Sequence, residues 1–222
     1  MEISDKEMNE IASRLLARRK YRSLALPMET LQDLICQGLP LAKNTRELEK
    51  LVRQKLHNIV APYLDSVDYG DASTQLNHIK PGDETTLNQF CHGILAKHAS
   101  TAERLPIMQD FYRRIFAITG IPTTVLDLAC GLNPFALPWM ELSPSTIYRA
   151  YDLHEPRVAL INQFLEYIER PPLAEKRDIL VNPPEEDADV AFFFKEAHRF
   201  EQRQHGCNHA FWQSLKVRHL VV

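Results

Sequence analysis

The residues with the clearest chemical potential are Asp127, Ala129, Cys130 and Gly131, in the run VLDLACGLNP that spans 125–134. An apolar segment ends on an acidic residue, and small residues then turn the chain into a helix. Such a turn lets backbone N–H groups and a helix N-terminus approach a ligand closely. The glycines do not follow the GxGxxG order of a dinucleotide fingerprint. Asp152 closes the next apolar segment, 21 residues beyond Gly131. An acidic residue there can accept both hydroxyls of a ribose; the alternative is a helix N-cap. Together the turn and Asp152 favour a nucleotide-type cofactor. Cys130 stands where a thiol could be activated by a helix start, but inside this turn it reads better as a small packing residue. His198, His205, Cys207 and His209 follow no standard metal spacing and read as surface residues.

A second chemistry is suggested near the N-terminus. Arg14, Arg18 and Arg22 recur every four residues, with Arg19 and Lys20 beside them. At helical spacing they form either a solvated face or a rail for backbone phosphates. The whole chain of 222 residues carries a net charge of −3, which argues against a uniformly basic nucleic-acid binder. The distribution differs: residues 1–60 hold eleven Lys/Arg against eight Asp/Glu, a local +3. A basic surface of that kind can contact phosphates within an acidic protein.

The elements that would position these residues follow from periodicity. Ser4 and Glu7 have capping-box spacing ahead of Met8, Ile11 and Leu15. Further helices are expected from near Pro27 to just before Gly38 and from Asn44 or Thr45 onward, the latter burying Leu48, Leu51 or Val52, Leu56 and Ile59. Ser100 and Glu103 suggest another capping box before a helix that buries Leu105, Met108, Tyr112 and Phe116. Thr123–Leu128, Ile147–Asp152 and Val190–Phe194 read as strands, and Leu220–Val222 begins one more. Strands alternating with helices indicate a parallel α/β sheet. The polar stretch after Pro171–Pro172 leaves one strand unplaced. Trp139, Trp212 and Phe192–Phe194 read as core. No apolar run reaches the 18 or so residues of a spanning helix, and the four cysteines lack zinc-ribbon spacing. A reduced, cytoplasmic protein is expected.

HASTAERL at His98–Leu105, DLACGLNPFAL at Asp127–Leu137 and YDLHE at Tyr151–Glu155 resemble the aminoglycoside-resistance 16S rRNA (guanine 1405, N7) methyltransferases. LLARRKYRSL at Leu15–Leu24, KLHNIVAPY at Lys55–Tyr63, and Phe194–Lys195 followed by Glu201, Gln204 and Gly206 are similar to the same family. The resemblance implies a class I, Rossmann-like methyltransferase domain over residues 98–222, preceded by a helical RNA-binding domain over residues 1–97. It implies S-adenosyl-L-methionine as cofactor and the 16S rRNA of the 30S subunit as partner, with no membrane, no metal and a monomeric protein.

Position by position, the resemblance puts His98, Ala99, Ser100 and Arg104 over the cofactor, with Arg104 facing its carboxylate. Ala129 and Gly131 would form the floor and Asp152 would hold the ribose. Asp178 and Ile179 would contact adenine, Gln204 would join the cofactor site, and Tyr63 would reach it from the N-terminal domain. Arg14, Arg18, Arg19, Lys20 and Arg22 would dock RNA. No catalytic base is assigned, because guanine N7 carries a lone pair and no proton to remove.

This chain departs from the family pattern at Glu196-Ala197-His198, where the family continues Leu-Leu-Pro. A carboxylate near the adenine pocket would be costly if unpaired. The chain also ends at RHLVV, inside the fifth strand that the resemblance implies, so the sheet is expected to be truncated at its C-terminal side. The alternatives are a non-enzymatic relative that keeps cofactor or RNA binding, or a methyltransferase acting on another RNA or a small molecule.

Overall fold

The computed structural model describes residues 3–60 and 66–222. The chain begins with α1 (Asp5–Leu16), whose start is fixed by the expected capping box. The Ser4 hydroxyl accepts from Glu7 N–H at 3.3 Å, and the Glu7 carboxylate accepts from Ser4 N–H at 2.9 Å. Such a cap is worth about 1 kcal/mol. α1 stops at Ala17, and Arg18 adopts an extended backbone before the single turn α2 (Arg19–Arg22). Arg14, Arg18 and Arg22 therefore do not share one continuous helix face, contrary to the reading of their spacing. The break lets Tyr21 and Leu24 turn inward while Arg18, Arg19, Lys20 and Arg22 stay exposed.

α3 (Met28–Gly38) and α4 (Thr45–Val60) complete the first packing unit with α1. Leu15, Leu31, Leu34, Leu48, Val52 and Leu56 have no exposed surface. Helical periodicity alone places them together, and each fully buried aliphatic side chain contributes about 1.5–3 kcal/mol. Gly38 permits the close approach of α3 to α4, since a Cβ there would lie 2.8 Å from Leu48 Cδ1. α5 (Tyr69–His78) and α6 (Glu84–Leu95) pack into a different core, the one beneath the sheet. The helical segment of residues 1–97 is thus shared between two cores.

The sheet contains β1 (Thr124–Leu128), β2 (Ile147–Asp152), β3 (Ala174–Lys176), β4 (Ala188–Phe192) and β5 (Val217–Val221). Its order is β3-β2-β1-β4-β5, and every pair is parallel. Alternate residues enter opposite cores, as the period of a strand requires. Val125, Ala150, Val190 and Phe192 face one layer, which contains α8 (Met108–Thr119) and α10 (Glu155–Tyr167). Leu126, Leu128, Tyr151, Ala191 and Phe193 face the other, covered by α11 (Ala197–Arg203) and α12 (Cys207–Ser214).

Three details differ from the sequence expectations. Phe193 and Phe194 lie beyond β4, and β5 starts three residues earlier than Leu220. Trp212 is exposed on α12 and is not a core residue. The remaining short helices are α7 (Ala99–Ala102) and α9 (Leu137–Met140). The strand order reverses at β1, where the chain crosses from the β2 side to β4, so a crevice opens where these strands end.

Candidate cofactor site

Two adjoining cavities occupy that crevice and share Ala129 and Arg199. The floor is the turn after β1. Ala129 and Gly131 both take left-handed backbone conformations, at φ +50 and +54. A non-glycine residue there costs about 1–2 kcal/mol, a strain that recurs at ligand sites. Cys130 N–H is held by the Tyr151 carbonyl at 2.9 Å, and Gly131 N–H donates to Asp152 Oδ2 at 3.0 Å. Burial, then the nearby Asp152 and Asp127, push the Cys130 thiol well above its usual pKa, so it stays a neutral packing group.

The first cavity lies over this turn and is lined by His98, Ser100, Arg104, Asp127, Asn133 and Glu196, among others. One wall is the segment around α7. The Thr101 hydroxyl anchors that segment by donating to the Leu95 carbonyl, and His98 Nδ1 pairs with the Ser100 hydroxyl at 2.7 Å. Ser100 and Glu103 do not form the expected capping box. The helix N-cap is His98, without a side-chain cap, and Glu103 instead forms an ion pair with Lys195 beyond β4. That hydrogen bond from Lys195 holds the Glu103 carboxyl below its usual range.

Arg104 is 8% exposed and packs its guanidinium 4.7 Å from the Phe194 ring centre. Its Nε donates to the Ser100 carbonyl at 3.0 Å, whereas Nη1 is buried without a hydrogen-bond partner. An unsatisfied charged donor is costly, and a ligand carboxylate is its natural complement.

Asp127, which the sequence reading placed at the end of the strand without giving it a binding role, lines this cavity. Its Oδ2 accepts from Tyr148 Oη and from Asn133 Nδ2, and Asn133 accepts from Tyr112 Oη at 2.6 Å. Burial raises its pKa to about 7, against those hydrogen bonds and nearby Arg104, which lower it. The available signal was an acidic residue inside an otherwise apolar strand. Glu196 lines this same cavity and not the second one, and its charge is paired with Arg199 at 2.7 Å.

The second cavity is lined by Lys55, Asn58 and Ile59 of α4 on one wall and by Asp152, Asp178, Ile179 and Arg203 on the other. Both packing units therefore build it. Asp152 accepts from Gly131 N–H, from His154 N–H at 2.9 Å, and from Arg157 Nη1 through both oxygens at 2.9 Å. It is not the N-cap of α10, a position held by His154. Asp178 is equally engaged. Its oxygens accept from Thr30 Oγ1 at 2.7 Å, from Leu180 N–H at 3.2 Å and from Arg203 Nη1 at 2.8–2.9 Å. Arg203 also reaches Asp33 on α3 at 2.7 Å, tying the two packing units together.

The structure thus gathers His98, Ser100, Arg104, Ala129, Gly131, Asp152, Asp178 and Ile179 along one crevice. Ala99 and Gln204 are exposed and line neither cavity. Tyr63 lies outside the described residues. Arg14 is engaged by Glu49 and Lys20 by His57. Among the described residues no three His, Cys, Asp or Glu side chains are placed to hold a metal, and no helix is long and apolar enough to cross a membrane.

The donors fit a sulfonium nucleoside: an orphaned cation for a carboxylate, a buried acid for an ammonium group, and a larger chamber beside the β2 end. Comparison with known proteins agrees with that fit. The family model described as ribosomal RNA methyltransferase (FmrO) matches residues 17–222. A 16S rRNA (guanine(1405)-N(7))-methyltransferase of Proteus mirabilis is 26% identical over 235 aligned residues, covering 100% of this chain and 82% of that protein. The structure of the 16S rRNA methylase RmtB gives a TM-score of 0.79 at 28% identity, covering 95% of this chain and 80% of that one. RmtF, solved in complex with S-adenosyl-L-homocysteine, gives 0.76 at 29% identity, with 97% and 79% covered. With a five-stranded parallel sheet of the class I methyltransferase type and a match along nearly its whole length, this chain belongs to the FmrO family of ribosomal RNA methyltransferases.

Proposed function

We propose that the chain methylates N7 of guanine 1405 in 16S rRNA of the 30S subunit, using S-adenosylmethionine. The observation that carries this reading is the orphaned Arg104 Nη1 above the DLACG turn, in a chain of this family. When bound, the cofactor supplies an electrophilic methyl group. Arg104 would hold its carboxylate and Asp127 its ammonium group. Ala129 and Gly131 leave the floor free of bulk, and the second cavity would take the adenosine with Asp152 near the ribose.

Guanine N7 attacks with its own lone pair, so the N–C bond forms as the C–S bond breaks toward sulfur. No proton moves and no base or Lewis acid is required. The residues act by positioning, which alone can supply several kcal/mol of barrier lowering. The exposed Arg18, Arg19, Lys20 and Arg22, with Arg14, would contact rRNA phosphates and orient the subunit. A target guanine inside a helix would be flipped out before transfer. The reading carries with it residues 1–97 as the docking segment, a cytoplasmic monomer, and tolerance to aminoglycosides in cells that express it.

The test is incubation of 30S subunits with labelled S-adenosylmethionine, followed by borohydride–aniline cleavage, which cuts at N7-methylguanosine. A single cleavage at guanine 1405 is expected; label on another base or on no RNA would overturn the proposal.

A further inference from the structure

Where the family pattern runs Leu-Leu-Pro, this chain has Glu196-Ala197-His198, and the added carboxylate meets a cation of the same helix. Glu196 stands at the start of α11, its carbonyl accepting from the N–H groups of Arg199 and Phe200 at 2.9 and 3.0 Å. Phe200 is buried against Phe193 and Phe211, which fixes the rotation of the helix. Arg199 is thereby turned to the crevice, about one helical turn ahead of Arg203 on the same face. Its Nη1 donates to Glu196 Oε1 at 2.7 Å, with the two side chains 25% and 6% exposed.

Arg199 and Ala129 line both cavities, so the guanidinium stands at the neck between them, whereas Glu196 lines the first alone. Under the cofactor reading, the amino-acid end lies in the first cavity and the adenosine in the second. The sulfur joins those two parts and has to cross the neck beside Arg199. In S-adenosylmethionine that sulfur carries a full positive charge; in S-adenosylhomocysteine it is neutral. A guanidinium with no opposing charge would repel the methyl donor and not the product, biasing the site toward the spent cofactor.

We propose that the Glu196–Arg199 pair sets the discrimination between the methyl donor and its demethylated product, with Glu196 cancelling the Arg199 charge where the sulfonium crosses. The proposal rests on the cofactor reading above and adds the groups that select the charge of the ligand. Neither side chain has to bond the ligand, because a charge acts through space. Several ångströms from a partly exposed group, it changes the binding of a cation by about 3- to 10-fold. The other ion pairs of the crevice, Asp152 with Arg157 and Asp178 with Arg203, act alike in every variant and cancel in a ratio.

The experiment is calorimetric titration of the unaltered chain, Glu196→Gln, Arg199→Gln and the double variant with S-adenosylmethionine and with S-adenosylhomocysteine. The quantity read is the ratio of the two affinities, which a general loss of packing would not move. Glu196→Gln removes the opposing charge and should shift the ratio toward the homocysteine form by about 3- to 10-fold. Arg199→Gln should shift it toward the methionine form by a similar factor, and it decides the matter alone if Glu196→Gln does not fold. The double variant should return to within about 2-fold of the unaltered chain. A ratio unmoved in the single variants, or moved the same way in both, would overturn the proposal while leaving the cofactor reading intact. Failure of the unaltered chain to bind either ligand would instead remove the cofactor reading, and this proposal with it.

Discussion

The two cavities differ in what they lack. Over the DLACG turn, Arg104 has a buried donor without a partner, and Asp127 is an acid held near neutrality by burial. Beside β2, the carboxylates of Asp152 and Asp178 are already saturated by Arg157 and Arg203. The first chamber thus holds an unsatisfied donor, whereas the polar groups of the second are held by ion pairs. Under the proposed function, binding energy at the first would come from relieving an electrostatic cost and at the second from shape. Residues of the same two types, arginine and aspartate, acquire opposite roles through their neighbours.

The largest expected effect lies in the prearranged chamber. Asp152→Ala leaves the Arg157 charge buried at 1% exposure without its carboxylate. Breaking such a pair typically costs about 3–5 kcal/mol. Thermal or denaturant unfolding should show a loss of that order, in addition to weaker cofactor binding. A stability change below about 1 kcal/mol would mean that this chamber is not prearranged by the pair.

The unsatisfied chamber should respond in the reverse sense. Arg104→Met removes a buried, partly unpaired charge, so unfolding stability should hold or rise. S-adenosylhomocysteine affinity should fall by about 10- to 150-fold, the equivalent of a charged hydrogen bond of about 1.5–3 kcal/mol. A destabilised variant with unchanged affinity would reverse the assignment of the two chambers.

Smaller effects are expected on the RNA side. Replacing Arg18, Arg19, Lys20 and Arg22 with Gln should weaken 30S binding and reduce its salt slope by roughly 0.7–0.9 for each phosphate no longer neutralised. Cofactor affinity should not move. An unaltered slope would return these residues to a solvated surface.

The smallest expected effect on cofactor affinity is a pH dependence from Asp127, whose pKa rises from 3.8 to about 7 on folding. Between those values the folded state binds the extra proton. Its contribution to stability is full below pH 3.8 and is lost as pH rises through about 7. An ammonium ligand prefers the ionised acid, so affinity should increase as pH rises toward 7, with proton release on binding near pH 6. Calorimetry in buffers of different ionisation enthalpy reads that release. Asp127→Asn should abolish it; persistence of the release would place the titrating group elsewhere.

Much of this arrangement was legible in the sequence, for identifiable reasons. β1 and β2 are runs of mostly apolar, β-branched or aromatic residues with an acid at or next to the end, and the small residues just after β1 form a tight turn. β3 was not legible: AEK is three residues long and polar, and it is a strand only because β2 offers it a pairing edge. The arginine stripe was misread because spacing cannot report the break at Ala17 and Arg18, beyond which Tyr21 turns inward. Ser100 and Glu103 have cap spacing, but Lys195 competes successfully for Glu103 across the crevice. The saturation of Asp178 depends on Thr30, 148 positions away in the chain, and no local pattern records such a contact.

The central claim is that the orphaned Arg104 donor receives the carboxylate of the cofactor. The most direct measurement is a double cycle by calorimetry, pairing the unaltered chain and Arg104→Met with S-adenosylhomocysteine and its decarboxylated analogue. The unaltered chain should favour the carboxylate form by about 10-fold or more, and Arg104→Met should bind both forms alike, giving a coupling of at least about 1.4 kcal/mol. A preference for the carboxylate form that survives in Arg104→Met would contradict the account.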